Sequence, residues 1–283
     1  MQITGSTRVY LILGDPVSQV RAPEVFNHLF AKHEVDAVLV PAEVPESSFA
    51  DFARTALTAR NIHGLWLAIP HKPAMVDLLD SCEPTGKVAG AVNAARRNAD
   101  GSIEGALFDG IGFVKALSIF DIPFKGKRVL VVGIGGGGVA IAASLAQQGV
   151  GQLALFDAAA GRASEVASRL RTAFECEVLT PETNDPAGFD LVVNATPLGL
   201  KVGDALPFDV SRLSASAAVV DILMKNQPTA LLHACQARGI AAHPGFEMLI
   251  QQMPEYLKFF GFDDIAAAVA ADSSDVRALL SST

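Results

Sequence analysis

Cysteine, aromatic residues and clustered positive charge are all scarce in this chain of 283 residues. The three cysteines, Cys82, Cys176 and Cys235, form no Cys-x-x-Cys pair and have no histidine partner at metal-ligand spacing. Neither a disulfide framework nor a zinc site is therefore predicted, and we expect no bound metal. We expect the cysteines to be buried as small hydrophobic side chains.

Basic residues are outnumbered, because 22 Lys and Arg stand against 30 Asp and Glu and leave a formal net charge of -8. They cluster no further than pairs such as Arg96-Arg97. This balance argues against nucleic acid and anionic membrane surfaces as partners. The sequence has no apolar run of about 18 residues and no cationic leader at its start, so we expect a cytoplasmic protein with a small-molecule substrate. The sequence leaves open whether the protein forms a homodimer.

Short apolar runs alternate with helix-length segments from the start of the chain, in which 50% of the residues are hydrophobic. Such runs, separated in this way, are typical of parallel sheets covered on both faces. A hairpin is predicted to follow at 91–97 and 102–108, across the turn at 98–101. The predicted strands of this first part are 9–14, 37–42 and 65–69, and the predicted helices are 22–34 and 45–60.

The alternation restarts after a predicted helix at 109–120 and a basic step at 125–128. A second α/β series is therefore predicted, with its own glycine-rich loop. Apolar residues at helical spacing in 244–262 predict a helix that packs back on the first part. The predicted strands of this series are 127–133, 153–157, 176–180, 190–196 and 217–223, with a helix over 161–174.

The glycine-rich loop lies between the strand at 127–133 and an Ala-rich helix, where a dinucleotide-binding fold holds its pyrophosphate. Gly133, Gly135 and Gly138 form a strict G-x-G-x-x-G. Glycines let the backbone approach the phosphates, and each helix N-terminal amide then adds about 0.3–1 kcal/mol. A flexible linker is the alternative, but the flanking strand and helix argue against it.

Asp157 closes the next predicted strand, 24 positions beyond Gly133. A carboxylate there accepts hydrogen bonds from the adenosine ribose and repels a 2′-phosphate, so NAD is favoured over NADP. Arg162 follows five residues later, and we place it a full turn into the helix, away from Asp157. It is either a phosphate contact or a solvated surface arginine.

Seven short segments occur in an order that identifies a family. They read GDPVSQVRAP (14–23), WLAIPHK (66–72), AVNA (91–94), GALFDG (105–110), NATPLG (194–199), DILM (221–224) and GFEMLIQQ (245–252). Together they resemble the shikimate/quinate dehydrogenase family over essentially the whole chain. The family's motifs are G-x-P-x-x-H-S-x-S-P, N-V-T-V-P-F-K, A-V-N-T, G-x-N-T-D-G, N-A-T-x-x-G, D-x-x-Y and G-x-x-M-L-V-x-Q.

The resemblance implies two α/β domains with the active site in the cleft between them. Residues 1–108 would form the substrate domain, with the C-terminal helices 243–283 packing back on it, and 109–242 a Rossmann-type dinucleotide-binding domain. The implied reaction is reversible oxidation of a ring hydroxyl on a shikimate-like hydroxy acid. Lys72 would be the general acid/base or a hydrogen-bonding electrophile, and Asp109 would flank the same hydroxyl. Without the resemblance, Lys72 is a lysine in a helix N-terminal turn and Asp109 an N-cap.

The resemblance also implies sets of binding residues. The NADP-using branch has an arginine after the second cofactor strand, where this chain has Ala158, so the family comparison also favours NAD. The implied substrate contacts are Asn93, Gln252, Gln19, Arg21, Trp66 and Met224. The implied cofactor contacts are Gly133, Ile134, Gly135, Gly136, Gly137, Gly138, Val139, Asp157, Arg162, Thr196, Pro197, Leu198, Ile222, Gly245, Met248 and Leu249.

The substrate side departs from the family at five positions. In the family two serines hold the substrate carboxylate, and this chain has Val20 and Ala22 at their positions. Three further polar residues of the family motifs are replaced by Trp66, Ala68 and Met224. Losing two hydrogen bonds to a carboxylate weakens binding by about 3–6 kcal/mol, so weak activity on shikimate is expected. The residues that could replace the serines are Gln19, His71, Lys225 and Arg21, of which Arg21 lies between the missing serines.

Two alternatives remain. A regulatory or sensor protein that binds NAD without efficient catalysis is favoured by the five lost polar groups and opposed by the retained Lys72 and Asp109. A folate-type methylene dehydrogenase fits poorly, because the motifs around Asn93 and Asp109 match the shikimate family instead.

Overall fold

The computed structural model describes residues 2–201, 203–224 and 227–281. The chain divides into two compact units, Met1–Phe108 with Gln252–Thr283, and Asp109–Gln251. Each unit contains one six-stranded sheet, so the predicted α/β class with two sheets is confirmed.

The sheet of the first unit is mixed, in the order β2-β1-β3-β5-β6-β4. β1 pairs in parallel with β2 and β3. β3 pairs antiparallel with β5, and β5 and β6 form the predicted hairpin. The short β4 pairs in parallel with β6. The strands are β1 (Arg8–Gly14), β2 (Ala37–Glu43), β3 (Ile62–Leu67), β4 (Ser81–Cys82), β5 (Ala94–Arg97) and β6 (Ile103–Ala106).

The sheet of the second unit is parallel throughout, in the order β12-β11-β10-β7-β8-β9. Its central strands β7, β10 and β11 are mostly apolar and buried, which is typical of parallel sheets covered on both faces. The predicted domain boundary after residue 242 falls inside the last strand, whose residues pair with β11. The strands are β7 (Arg128–Val132), β8 (Gln152–Phe156), β9 (Glu177–Leu179), β10 (Leu191–Asn194), β11 (Ala218–Asp221) and β12 (Ala241–Pro244).

The α-helices alternate with the strands over most of the chain, although β6 directly follows β5, β10 directly follows β9, and the last three helices follow one another. They are α1 (Ala22–Lys32), α2 (Phe49–Ala56), α3 (Pro84–Ala89), α4 (Asp109–Ile119), α5 (Gly136–Gln147), α6 (Arg162–Ala173), α7 (Ala230–Ala237), α8 (Phe246–Phe259), α9 (Asp263–Ala271) and α10 (Ser274–Ser281). Short 3₁₀ turns lie at Glu46–Ser48, Val76–Leu78 and Val210–Arg212. Among the described residues, none of the helices is both long and apolar enough to cross a bilayer.

The predicted helix at 45–60 is shorter in the structure, where α2 covers only Phe49–Ala56. The 3₁₀ turn precedes it, and the Thr58 hydroxyl donates to the Thr55 carbonyl at 2.7 Å just after its end. This local hydrogen bond competes with a further helical turn and lets the chain return as β3. That strand in turn starts at Ile62 and ends at Leu67, earlier than the predicted 65–69.

Each face of the first sheet has its own core. One face packs aliphatic side chains, among them Leu13, Leu65 and Leu67, with Phe49 of α2. On the other face the indole of Trp66 packs among rings from β1, α1 and the C-terminal segment. We call this group the aromatic cluster: Tyr10, Phe26, Phe30, Trp66, Tyr256, Phe260 and Phe262.

Candidate active site

The carboxyl ends of β1 and β3 lie side by side in the first unit. The Ala68 amide donates to the Leu13 carbonyl at 2.8 Å, and the Asp15 amide to the Ile69 carbonyl at 3.0 Å. The loops that follow, 15–21 and 68–75, therefore start from one sheet edge. In α/β folds this is the edge where ligands bind.

Asn93 is the best-connected polar side chain at this edge, and it is 1% exposed. Its Oδ1 accepts from the Phe108 amide at 2.9 Å, and its Nδ2 donates to Gln252 Oε1 at 3.3 Å. Its carbonyl accepts from the Leu67 amide and from the Tyr256 hydroxyl at 3.2 Å. The structure thus brings two predicted substrate residues together, and Tyr256 is a partner that the sequence reasoning missed.

Hydrogen bonds link Asn93 and its neighbour Val92 to the segments that carry Lys72 and Asp109. The Lys72 carbonyl accepts from the Val92 amide at 3.0 Å, and Asp109 directly follows Phe108, whose amide Asn93 holds. Lys72 is half-buried in the turn at 69–75, so it does not lie in a helix N-terminal turn. Asp109 is buried and is the first residue of α4.

The candidates for replacing the missing serines already have other partners. Arg21 Nε donates to Glu24 Oε2 at 2.8 Å, and Gln19 Nε2 donates to the Pro16 carbonyl at 2.6 Å. His71 is buried, with its Nε2 hydrogen-bonded to the Val44 carbonyl at 2.8 Å and its ring stacked on Phe49 at 4.3 Å. Its location makes His71 a core residue, because both its ring face and its nitrogen are occupied within the fold.

The predicted substrate contact Met224 and the last serine-replacement candidate, Lys225, follow β11 in the sequence, and Met224 is 43% exposed. Lys225 lies outside the described residues. Met224 is apolar, and it follows the strand end at which Asp221 is buried.

The prediction that Trp66 contacts the substrate needs correction. Its indole is 2% exposed and stacks on Phe260 at 4.1 Å and on Tyr256 at 5.4 Å. Within the part of the chain that the structure describes, its Nε1 has no hydrogen-bond partner. A buried donor without a partner costs about 1–3 kcal/mol, whereas the ring gains packing in the aromatic cluster.

The glycine loop of the second unit has the predicted strand–turn–helix structure, with β7 before it and α5 after it. Gly133 has a φ of 95°, and a Cβ there would lie 2.7 Å from the Ala195 carbonyl carbon. A Cβ on Gly138 would lie 1.9 Å from the Gly133 carbonyl oxygen. These two glycines are therefore required for the turn itself.

The middle of the loop is open. A Cβ built on Gly135 meets nothing within 4 Å, and one on Gly137 meets only the Ile222 side chain at 2.9 Å. Gly135 is the N-cap of α5 and no side chain caps the helix, whose first turn contains no acidic residue. The backbone from Gly135 to Gly137 thus fits the approach of a dinucleotide pyrophosphate, with the α5 amides as donors. Ile134 and Val139, on either side, are buried.

Asp157 and Arg162 are arranged differently from the prediction. The Asp157 carboxylate accepts from the Ile134 amide at 2.7 Å and from the Ala159 amide at 2.8 Å. Arg162 is the first residue of α6, and its guanidinium is 3.6 Å from the same carboxylate. The prediction that Arg162 lies a full turn into the helix and away from Asp157 is wrong. The reason is that Gly161, with a φ of 83°, directly precedes the helix.

A buried polar network shapes the turn after β10. Asn194 Oδ1 accepts from the Thr196 amide at 3.0 Å and hydroxyl at 2.7 Å, and Asn194 Nδ2 donates to Asp221 Oδ1 at 3.0 Å. Asp221 also accepts from the Thr229 hydroxyl at 2.6 Å. Burial raises the pKa of the Asp221 carboxyl, although these hydrogen bonds oppose the shift. The sequence reasoning left Asn194 and Thr229 out of the site, although a polar residue that ends an apolar strand was a usable signal for Asn194.

The remaining predicted cofactor residues lie around this turn and at the start of α8. Pro197 and Leu198 are exposed, Ile222 and Leu249 are half-buried, and Met248 is buried. Gly245 donates its amide to the Asp221 carbonyl at 2.6 Å, and a Cβ there would lie 2.3 Å from Ile222 Cα. Gly245 is thus required for close backbone packing.

Cys235 is buried, whereas Cys82 and Cys176 are half-buried. Burial raises the pKa of the Cys82 and Cys235 thiols to about 11, which keeps both protonated near neutral pH. No group of three or more His, Cys, Asp or Glu side chains that could hold a metal ion is present among the residues described.

Comparisons with known proteins agree on one family. A family model described as the shikimate dehydrogenase substrate binding domain matches residues 12–95. A shikimate dehydrogenase (NADP(+)) from Rubrobacter xylanophilus is 34% identical, over 89% of this chain and 89% of the relative.

Solved structures of the same fold cover nearly the whole chain. A Corynebacterium glutamicum quinate dehydrogenase in complex with NAD has a TM-score of 0.81 at 25% identity, covering 94% of this chain and 99% of that one. A Listeria monocytogenes shikimate 5-dehydrogenase in complex with shikimate and NAD has a TM-score of 0.85 at 24% identity, covering 95% and 98%. The resemblance inferred from the seven segments is confirmed.

Proposed function

The chain belongs to the shikimate dehydrogenase family, and on that premise we propose that it reversibly oxidises a ring hydroxyl of a shikimate- or quinate-like compound, with NAD preferred. It is an oxidoreductase that acts on a CH–OH group and uses a nicotinamide dinucleotide. The substrate, the preference for NAD and the residue roles below are parts of the proposal.

The observation that carries the proposal is the position of Asn93. The Asn93 side chain is hydrogen-bonded to Gln252 and to the Phe108 amide, and the Asn93 carbonyl accepts from the Tyr256 hydroxyl. The amide of the neighbouring Val92 donates to the Lys72 carbonyl. Buried amide groups at one sheet edge, next to a lysine, are suited to orienting a hydroxylated ring.

Lys72 is proposed to exchange a proton with the reacting hydroxyl, with Asp109 as the second group on that hydroxyl. The nicotinamide, when bound, takes or returns the hydride. Asn93 and Gln252 are proposed to orient the ring through its other hydroxyls. The glycine loop at 133–138 would bind the pyrophosphate, and the turn at 194–199 would lie beside the nicotinamide.

The preference for NAD rests on Asp157 and Ala158. A carboxylate at the end of β8 disfavours a 2′-phosphate, and Ala158 supplies no guanidinium for one. Arg162 is half-exposed and 3.6 Å from Asp157, so its charge is offset there. We expect kcat/KM for NAD to exceed that for NADP by at least about tenfold, and Ala158→Arg to reduce this ratio. A wild-type enzyme that prefers NADP would contradict the preference.

Activity on shikimate itself is expected to be weak, because Val20, Ala22, Ala68 and Met224 supply no polar side-chain group. Steady-state kinetics with shikimate and quinate would measure this expectation. Ordinary NADP-linked turnover of shikimate would contradict it.

The central test replaces Lys72 by Met, which keeps the aliphatic length and removes the ammonium. We expect kcat to fall by about 10²–10⁴-fold, the usual contribution of a general acid or base, with cofactor affinity unchanged. Lys87→Met, at an exposed position of α3, is the matched control and should retain full activity. Wild-type protein that binds NAD without turning over any ring alcohol would instead support the regulatory alternative.

A further inference from the structure

We infer that the substrate carries no carboxylate on the side that faces the loop from β1 to α1, and that it is an uncharged ring alcohol or ketone. This inference rests on the proposed function and specifies the substrate class of the same site. It follows from the aliphatic character of the sheet edge that carries Lys72 and from the charges beside it.

The loops after β1 and β3 present aliphatic side chains. Val17, Val20, Ala22 and Ala68 are half-buried, and Ile69 is 69% exposed. The two loops are adjacent, because the Asp15 amide donates to the Ile69 carbonyl. A ligand that reaches Lys72 along this edge meets carbon atoms, which replace the water around a charged group without hydrogen-bonding to it.

Three donors in the loop from β1 to α1 are directed to protein acceptors. Gln19 Nε2 donates to the Pro16 carbonyl, and the Val17 amide donates to Glu43 Oε2 at 3.2 Å. The guanidinium of Arg21 is paired with Glu24. A substrate carboxylate would have to displace one of these acceptors to bind any of the three donors.

The charges of these loops also disfavour an anion. Three carboxylates, Asp15, Glu24 and Glu43, lie on or against the loop from β1 to α1, with Arg21 as the loop's own cation. The remaining cation at the edge is Lys72, which the proposed reaction engages with a hydroxyl. An acidic, aliphatic surface is complementary to an uncharged substrate rather than to a carboxylic acid.

The experiment compares shikimate with its methyl ester, which keeps the ring hydroxyls and removes the charge. Initial rates are measured with the wild-type protein and with either NAD or NADP. We expect kcat/KM for the ester to exceed that for the acid by at least about tenfold. Equal or higher kcat/KM for the acid would overturn the inference while leaving the proposed function standing.

A double variant, Val20→Ser with Ala22→Ser, supplies hydroxyl donors at this edge. We expect it to lower the ratio of kcat/KM for the ester to kcat/KM for the acid by about tenfold. Thermal unfolding of the variant shows whether it is folded. A folded variant with an unchanged ratio would overturn the assignment of this edge as the specificity surface. Absence of turnover with both compounds, in wild type and variant, would overturn the proposed function, and the inference with it.

Discussion

The glycine loop of the second unit and the sheet edge of the first unit differ in the groups that they offer a ligand, backbone in the loop and side chains at the edge. The loop at 133–138 is mostly backbone, fixed by steric contacts at Gly133 and Gly138 and open at Gly135. The sheet edge at 14–22 and 68–72 is defined by side chains, among them the aliphatic Val17, Val20, Ala22, Ala68 and Ile69. A cofactor can be bound by backbone amides that most substitutions leave in place, whereas substrate contacts change with single side chains.

This contrast explains why the chain keeps a strict cofactor motif beside an altered substrate surface. The two regions also differ in how their polar groups are satisfied. Asn194 and Asp221 form a closed network in the second unit. In the first unit Asn93 and Gln252 form a hydrogen-bonded pair, and the Trp66 donor has no partner among the described residues.

The largest effect is expected from Gly138→Ala. Its Cβ would lie 1.9 Å from the Gly133 carbonyl oxygen, a backbone atom that cannot move without opening the turn. We expect the free energy of unfolding to fall by about 3 kcal/mol, at the upper end of overpacking effects, with loss of dinucleotide binding. Chemical denaturation and calorimetric titration with NAD would measure both.

Gly135→Ala is the matched control in the same loop. Its Cβ would enter open space at a φ of -78°, which alanine adopts freely, so stability should stay equal or rise by about 0.4–1 kcal/mol. Dinucleotide affinity should nevertheless fall, because the methyl group occupies the phosphates' path. Unchanged affinity would show that the pyrophosphate does not approach Gly135.

A smaller loss in the free energy of unfolding is expected from replacing Asp221. Asp221→Ala leaves the Asn194 amide and the Thr229 hydroxyl without their acceptor, which we expect to cost about 2–3 kcal/mol. Asp221→Asn keeps one oxygen and the shape, so it should cost clearly less. Equal losses for the two variants, measured by urea denaturation, would show that packing rather than hydrogen bonding makes Asp221 important.

The same pair tests a pH dependence. Burial raises the pKa of Asp221 in the folded protein above its ordinary value of 3.8, so folding favours the protonated form. The contribution of this group to stability is therefore present at low pH and is lost as the pH rises through the folded-state pKa. Relative to wild type, Asp221→Asn should gain stability over that rise. A constant difference between pH 4 and pH 8 would contradict the raised pKa.

The smallest effect is expected from Trp66→Phe. The side chain loses apolar area, but a buried N–H without a partner in the described part of the chain is removed, so the net change in the free energy of unfolding should stay within about 1 kcal/mol. Leu65→Ala, on the opposite face of β3, is the control and should cost about 2–5 kcal/mol. A loss of several kcal/mol for Trp66→Phe would indicate that the indole N–H has a partner in solution.

The longer strands could be predicted from the sequence because they are mostly continuous apolar runs, as in β1 and β7. The short β4 and β12 were not predicted, because Ser81–Cys82 and Ala241–Pro244 contain no such run. The hairpin and the glycine loop followed from local turn chemistry in the same way. The meeting of Asn93 with Gln252 could be expected only from the family's motifs, since 159 positions separate them and no local pattern links the two.

The errors arose where tertiary contacts decide. Trp66 was placed by its motif position, but rings from α8 and the residue that follows it, distant in sequence, draw the indole into the core. Arg162 was placed a full turn into the helix although the predicted helix began at 161. In the structure α6 begins at Arg162 itself, directly after the left-handed Gly161, and the guanidinium lies 3.6 Å from Asp157. Helix ends are set by single residues, which apolar periodicity does not resolve.

The aromatic cluster has a consequence for the order in which the chain becomes structured during synthesis. Tyr256, Phe260 and Phe262 come from the C-terminal segment but complete the core of a sheet formed by the first 108 residues. The fit is close, since a Cβ on Gly64 would lie 2.1 Å from the Phe260 ring. During synthesis all strands of the second unit therefore leave the ribosome before the first unit can bury this apolar face.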